Sequence, residues 1–140
     1  MRVVLDTNVV LDLVLFHDQG VEPLRAAIEA GRIVAVTSPA CLDELRRVLA
    51  YPQFGLDVAK QQSAFAWMEA HAECVGQPPV QNLLPRCGDP DDQKFLDLAW
   101  AARAAHLVTK DRALLRLARR VAKLGRFLVS LPTDLPTPPG

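Results

Sequence analysis

Acidic residues come shortly after apolar runs at several widely separated points of the sequence. Asp6 follows the first such run and Asp111 a later one; Glu44 lies six residues beyond Ser38, and Asp89, Asp91 and Asp92 begin a helix. Carboxylates gathered at one place repel one another unless cations neutralise them. Oxygen ligands suit Mg²⁺ or Mn²⁺ rather than zinc, and pairs of such ions commonly serve phosphodiester hydrolysis. The pattern therefore predicts a divalent-metal site that acts on phosphodiester bonds.

The elements that must position these residues alternate between short strands and helices. Apolar, β-branched runs predict strands at 3–5, 33–36, 107–109 and 127–129, with a further extended piece at 80–84. Apolar periodicity and caps predict helices at 9–16, 23–30, 39–51, 58–75 and 112–123, and another opening at 89–92. This alternation is typical of an α/β fold: a central, mainly parallel sheet of about four to five strands flanked by helices. Sites in such sheets form beyond the carboxyl ends of the strands, where the acidic residues lie.

Several of these acidic residues also have a purely structural interpretation. Asp89 followed by Pro90 is typical of a helix N-cap, and Asp111 can cap the last long helix in the same way. Asp6 is explained less well by capping, because its two polar neighbours could cap instead. Glu44 lies beyond the first turn of its helix and beside an apolar stripe, where a solvated acid would be poorly placed. The coincidence of four acids, rather than any one of them, carries the metal-site hypothesis.

Four stretches of the sequence, in this order and spacing, resemble a known family. They are Asp6-Thr7-Asn8 after a strand, Ser38-Pro39 with Glu44-Leu45 and Val48-Leu49, Asp89-Pro90-Asp91-Asp92 with Phe95-Leu96 and Leu98-Ala99, and Leu107-Val108-Thr109 with Asp111. Together they are similar to a PIN domain and, more narrowly, to the VapC-type toxin components of toxin–antitoxin systems. The resemblance covers roughly residues 1–117, and it implies a single PIN-like fold.

The resemblance also implies which residues form the site. The family's catalytic acids fall on Asp6, Glu44, Asp92 and Asp111; the implied metal ligands are these four and, as an auxiliary ligand, Asp89; and the polar residues that shape the site match Thr7, Asn8, Ser38 and Thr109. Asp91 and Asp92 are adjacent, and the spacing to Ala99 selects Asp92. In the implied roles Asp6 binds metal centrally, Asp92 and Asp111 complete the metal shell, and Glu44 holds metal or orients water.

The activity implied by the resemblance is that of a Mg²⁺- or Mn²⁺-dependent endoribonuclease. Its substrate would be RNA, its products would carry 5′-phosphate and 3′-hydroxyl ends, and no protein nucleophile would be needed. The narrower resemblance implies a toxin whose partner is a separate antitoxin polypeptide. Members of the family commonly form dimers, so a homodimer is a further implied partner. The RNA target and the number of metal ions bound at rest are left open.

A basic segment near the carboxyl end is a candidate surface for the RNA backbone. Residues 110–126 contain seven basic residues against one acidic residue, so this segment carries a formal charge of +6 and the remainder −6. Arg112, Arg116, Arg119 and Lys123 lie at helical spacing, on one face of the predicted helix. A solvated helix face explains this pattern as well; an electrostatic track for phosphates is the functional alternative.

Length and composition bound the remaining possibilities. The chain has 140 residues, 50% of them hydrophobic, and its sixteen basic and sixteen acidic residues cancel, which excludes a polycation. One nuclease domain is expected at 1–131, followed by a proline-rich tail at 132–140 that is expected to be flexible. Three cysteines without a CxxC pair favour reduced thiols in the cytoplasm, and no apolar run is long enough to span a membrane.

Two other classes of protein compete with the nuclease interpretation. A phosphoryl-transfer domain of the haloacid-dehalogenase or receiver type also ends its first strand in aspartate. The dehalogenase pattern requires a second aspartate two residues on, where this chain has Asn8. The alternative from a different class is a non-catalytic PIN-like RNA-binding or protein-interaction module. The presence of all four acids argues against it.

Overall fold

Five short strands form a single parallel sheet at the centre of the computed structural model, which describes residues 1–136. The strands are β1 Arg2–Leu5, β2 Val34–Thr37, β3 Ala72–Cys74, β4 His106–Val108 and β5 Leu128–Ser130. Their spatial order is β3-β2-β1-β4-β5, and every neighbouring pair is parallel. The predicted α/β class with a mainly parallel sheet is therefore confirmed. All five strands direct their carboxyl ends to the same edge.

Within the described part of the chain, seven α-helices cover the sheet. They are α1 Thr7–Leu11, α2 Glu22–Glu29, α3 Pro39–Leu49, α4 Val58–His71, α5 Gln93–Ala101, α6 Arg112–Leu115 and α7 Ala118–Lys123. A π-helical turn, Asp12–Phe16, continues α1, and 3₁₀ turns lie at Gln19–Val21, Pro52–Phe54, Pro90–Asp92 and Pro132–Asp134. The helices α1, α3 and α6 directly follow β1, β2 and β4, so they begin at the edge where these strands end. Asp92, which precedes α5, lies near Asp6 at the same edge.

The apolar core lies on both faces of the sheet. Val3 and Leu5 pack on one face with residues of α1, α2 and α4, whereas Val4 packs on the other face with Phe95 and Leu107. Alternate residues of a strand point to opposite faces, so a central strand buried on both sides needs continuous apolar sequence. This explains why residues 3–5 of β1 form an unbroken apolar run.

Three sequence-based predictions of secondary structure are wrong. The helix predicted to reach residue 75 ends at His71, and 72–74 form the edge strand β3. Residues 80–84 form no strand. The basic helix predicted at 112–123 is divided into α6 and α7. The strand β3 carries exposed Glu73 and Cys74, so its pairing with β2 leaves no apolar signal in the sequence.

The beginning of the predicted tail packs against the domain. Pro132 is buried in a 3₁₀ turn, and Leu135 contacts the core cluster that contains β1 and α2. The predicted tail residues 137–140 lie outside the described part of the chain.

No helix within residues 1–136 is both long enough and apolar enough to cross a membrane.

Candidate active site

Asp6 lies at the carboxyl end of the central strand and is only 3% exposed. Its backbone N–H donates to the carbonyl of Val108 at 3.0 Å, which continues the β1–β4 pairing by one residue. Thr109 Oγ1 donates a hydrogen bond to Asp6 Oδ2 at 2.7 Å. Although Asp6 is the N-cap residue of α1, its side chain makes no capping hydrogen bond. Capping therefore does not account for this buried carboxylate.

Asp111 is tied to the same strand end through Thr109. Its backbone N–H donates to Thr109 Oγ1 at 2.9 Å, and its Oδ1 accepts from the backbone N–H of Ala113 at 2.8 Å. The side chain thus caps α6, as the structural interpretation predicted. Capping uses Oδ1, and Asp111 also lies close enough to Asp6 and Asp92 to shift their pKa values. Asp111 can therefore cap α6 and belong to the acidic cluster at the same time.

Asp92 and Asp91 have different environments although they are adjacent. Asp92 is 8% exposed, and its Oδ2 is buried without a hydrogen-bond partner among the described residues. Asp91 is exposed. Asp89 is exposed too, and its side chain accepts from the backbone N–H of Asp91 at 3.0 Å, as expected for an N-cap. Asp92 precedes α5 without capping it through its side chain, so it is the buried carboxylate of this turn.

Glu44 projects from α3 toward the same edge and is held by two other elements. Thr7 at the start of α1 donates its hydroxyl hydrogen to Glu44 Oε2. Lys94 of α5 contacts Glu44 Oε1 at 2.8 Å. The sequence identified an acid that is poorly placed for solvent but did not identify this cation. The sequence indicated only that a half-buried carboxylate needs a partner; it did not indicate that Lys94 is that partner.

The charges of these carboxylates act on one another. Burial, more than any other cause, raises the pKa of Asp6; the charges of Glu44 and Asp111 add to this effect, while the hydrogen bond from Thr109 opposes it. Burial and then the contact with the Asp111 carboxyl raise the pKa of Asp92 to about 8, with a further contribution from Asp6. The structure therefore brings Asp6, Glu44, Asp92 and Asp111 into one electrostatically coupled group.

This coupling predicts a pH-dependent stability for the metal-free chain. The pKa of Asp92 is about 8 in the folded state against 3.8 for the unfolded chain, so the folded state binds the additional proton between these values. In EDTA, stability should consequently fall as the pH rises from about 4 to 8. In Asp92→Asn this position has no titratable carboxyl group. The free energy of unfolding of the variant should therefore rise relative to that of the wild type as the pH increases from about 4 to 8. Urea unfolding at several pH values measures the free energy of unfolding of both proteins. A difference between them that stays constant with pH would contradict the prediction.

The arrangement does not form a closed coordination shell. Within residues 1–136, no group of three or more His, Cys, Asp and Glu side chains is placed so that it could already hold a metal ion. Glu44 is occupied by Thr7 and Lys94, and Asp111 uses Oδ1 as a cap. The buried and unpartnered Oδ2 of Asp92 nevertheless needs a proton or a cation beside it. Hard oxygen donors of this kind fit Mg²⁺ or Mn²⁺.

Ser38 and Gln77 connect the second strand to α5. The hydroxyl of Ser38 accepts from the backbone N–H of Cys41 at 3.3 Å, so Ser38 is the N-cap residue of α3. It donates to Gln77 Oε1 at 2.5 Å, and Gln77 Nε2 donates to the carbonyl of Lys94 at 3.4 Å. Gln77 comes from the loop after β3, and no sequence signal distinguished it.

Two further buried aspartates, Asp12 and Asp97, lie outside the acidic cluster. Asp12 is 6% exposed and forms an ion pair with Lys110, the neighbour of Asp111. Asp97, also buried, accepts from the backbone N–H of Gln81 at 3.0 Å. Neither residue matches the acidic motif, so the sequence gives no reason to expect that either takes part in catalysis. Their bonds show that they support structure around the site instead.

The predicted basic surface is exposed but is not one helix face. Arg112 and Lys123 belong to different helices, α6 and α7, and Arg116 lies in the turn between them. All four predicted positions, including Arg119, are exposed. The same segment carries an apolar stripe, Leu114, Leu117 and Val121, which is buried.

Comparisons with known proteins agree with this architecture. The sequence model of the family described as "PIN domain" matches residues 2–113. Among solved structures, a chain of "VapBC2 from Rickettsia felis bound to a DNA fragment from their promoter" is similar, with a TM-score of 0.64 and 16% sequence identity. The similarity covers 94% of this chain and 98% of that chain. No curated protein matches the sequence.

Proposed function

Because the chain belongs to the PIN domain family, we propose that it is a Mg²⁺- or Mn²⁺-dependent endoribonuclease that acts as the toxin of a toxin–antitoxin pair. The observation that carries the proposal is the buried, unpartnered Oδ2 of Asp92, which lies among the carboxyl groups of Asp6 and Asp111. A divalent cation would remove the repulsion in this group without a protein partner. The phosphoryl-transfer alternative receives no support from the family assignment.

Three residues are proposed to hold the metal. Asp6, Asp92 and Asp111 come from the ends of β1 and β4 and from the start of α5, and their carboxyl groups influence one another. When bound, Mg²⁺ or Mn²⁺ would activate water and offset negative charge on the phosphate in the transition state. Asp89 is exposed and bound to a backbone N–H, so its proposed part is limited to the charge that it places near Asp92.

The surrounding residues are proposed to orient these groups. Thr109 fixes the rotamer of Asp6 and, through the backbone of Asp111, the start of α6. Thr7 holds Glu44 at the edge of the site, where its carboxylate can accept a hydrogen bond from a water or a ribose hydroxyl. Preorganised contacts of this kind contribute to catalysis because they need no rearrangement during the reaction.

The basic residues of α6, α7 and the turn between them are proposed to contact the RNA backbone. Replacement of Arg116 and Arg119 by alanine should weaken binding at low salt and flatten the salt dependence by about 0.7 per lost phosphate contact. Binding to single-stranded RNA in EDTA, measured across salt concentrations, tests this. Arg103→Gln is the matched control, since Arg103 is exposed just before the amino end of β4. An unchanged slope in the double variant would favour the solvated-face interpretation.

An antitoxin partner and a cytoplasmic location belong to the same proposal. The likeness to a chain of the VapBC2 structure supports a separate antitoxin polypeptide as the partner. All three cysteines are free, which agrees with the reducing environment in which such a pair would act.

RNA cleavage by the purified chain, with Mn²⁺ and with EDTA, tests the proposed activity. We expect cleavage of single-stranded RNA with the metal and none with the chelator. Binding of RNA without cleavage under any metal condition would favour the alternative, a non-catalytic PIN-like module.

A further inference from the structure

Lys94 is an internal cation at the edge of the acidic cluster. It is the second residue of α5, and its Nζ lies 2.8 Å from Glu44 Oε1 and 2.5 Å from the backbone carbonyl of Asp91. The Lys94 side chain is 18% exposed and the Glu44 side chain 15%. Two charged groups this far from solvent are screened weakly, so their attraction is stronger than that of a surface pair.

Both oxygens of Glu44 are engaged by protein donors. The hydroxyl of Thr7 donates to Oε2 and the ammonium of Lys94 to Oε1. A divalent cation bound to Glu44 would have to approach Lys94 closely, and like charges at short range repel strongly in a poorly solvated site. Glu44 is therefore neutralised by the protein itself.

The other three acids have no such partner. No ion pair among residues 1–136 includes Asp6, Asp92 or Asp111. Thr109 and the backbone of Ala113 donate to two of them, and Asp92 Oδ2 has no donor at all. The cluster thus consists of one acid paired with a lysine and three acids that have no cationic partner among the described residues.

The backbone around Lys94 is also anchored. Gln77 donates to the Lys94 carbonyl at 3.4 Å while its own amide oxygen accepts from Ser38 at 2.5 Å. This links the end of β2 to the first turn of α5. The backbone of Lys94 is consequently held in place relative to Glu44, unlike that of a lysine on a freely moving surface segment.

We infer that Lys94 is a positioning residue that keeps Glu44 out of the metal shell, so that each chain binds one divalent ion, at Asp6, Asp92 and Asp111. This inference rests on the proposed metal site. Glu44 then serves as an acceptor at fixed orientation instead of a ligand, and the lysine takes the place of a second ion.

Titration of the chelator-stripped full chain with Mn²⁺, followed by calorimetry, tests the inference. Wild type should bind one ion. Lys94→Met keeps the apolar stem but removes the ammonium, so Glu44 becomes available and the variant should bind two. Lys94→Arg should restore a count of one. Lys60→Met is the control, since Lys60 is exposed on α4 and forms no ion pair among the described residues; it should also bind one.

The double variant Glu44→Gln/Lys94→Met removes both charges and leaves the net charge unchanged. It should bind one ion with an affinity within about threefold of the wild type. If Glu44 were a ligand in the wild type, this variant should instead lose about tenfold or more in affinity. If Lys94→Met folds poorly, the double variant still shows whether Glu44 is a metal ligand in the wild type.

The outcomes separate the inference from the proposed function. Two ions in the wild type, one ion in folded Lys94→Met, or a large loss of affinity in the double variant would overturn the role of Lys94. Absence of Mn²⁺ binding in the wild type would overturn the metal site and the inference together. One bound ion without RNA cleavage would overturn the nuclease proposal and leave the role of Lys94 standing.

Discussion

Asp6→Asn and Asp92→Asn are each expected to reduce RNA cleavage by about 100-fold or more while the protein remains folded. Each substitution keeps the size of the side chain but removes a negative ligand from the proposed metal shell. A displaced ion would lose both the activation of water and the neutralisation of charge on the phosphate. Cleavage of one labelled single-stranded RNA at saturating Mn²⁺ measures the effect, and circular dichroism verifies the fold.

Asp43→Asn is the matched control for both variants. Asp43 neighbours Glu44 on α3, is exposed, and accepts no side-chain hydrogen bond among the described residues, so the variant should cleave like the wild type. Asp12 and Asp97 are less suitable because both are buried and bonded. Equal cleavage by Asp6→Asn and Asp43→Asn, or undiminished cleavage by the wild type in EDTA, would refute the metal-dependent mechanism.

Mn²⁺ should stabilise the wild type strongly because it binds the folded state only. At a free concentration of 100 times Kd, one ion adds about 2.7 kcal/mol to the free energy of unfolding, which raises Tm by roughly 5–10 °C for a domain of this size. Asp6→Asn should lose most of this increase. In the absence of metal the same variant should be as stable as the wild type or more so, since it relieves repulsion in the cluster.

Thermal unfolding with Mn²⁺ and with EDTA provides this measurement. Asp43→Asn should show the full increase, which controls for the general effect of removing one carboxylate from the protein. An equal rise of Tm in wild type and Asp6→Asn would place the ion elsewhere on the protein.

The order of strands and helices was accessible from the sequence wherever the core imposes a strong pattern. The buried strands β1, β2 and β4 are short apolar runs, because a strand covered on both faces cannot carry solvated side chains. The caps at Asp89 and Asp111 could be predicted because each depends on residues two positions apart in the sequence.

Elements with weak local signals could not be predicted in this way. The edge strand β3 is defined by its hydrogen bonds to β2, a contact between residues 35–37 and 72–74 that no local pattern encodes. The division between α6 and α7 likewise leaves the apolar stripe intact, because Leu114, Leu117 and Val121 are buried in either case.

At the candidate site, residue type and position relative to the strands identified Asp6, Glu44, Asp111 and the group of Asp89, Asp91 and Asp92. The family resemblance then selected Asp92 within that group. Their sequence neighbours did not reveal which carboxylates lack a partner, since that depends on side chains brought from other elements. Lys94 lies 50 residues from Glu44, and Thr109 lies 103 residues from Asp6. The sequence therefore specifies which groups can bind a cation, whereas the packing of α3 against α5 and of β1 against β4 determines which of them already have a partner. The physical reason is that hydrogen bonds and charge interactions act over a few ångströms in space, whatever the separation along the chain.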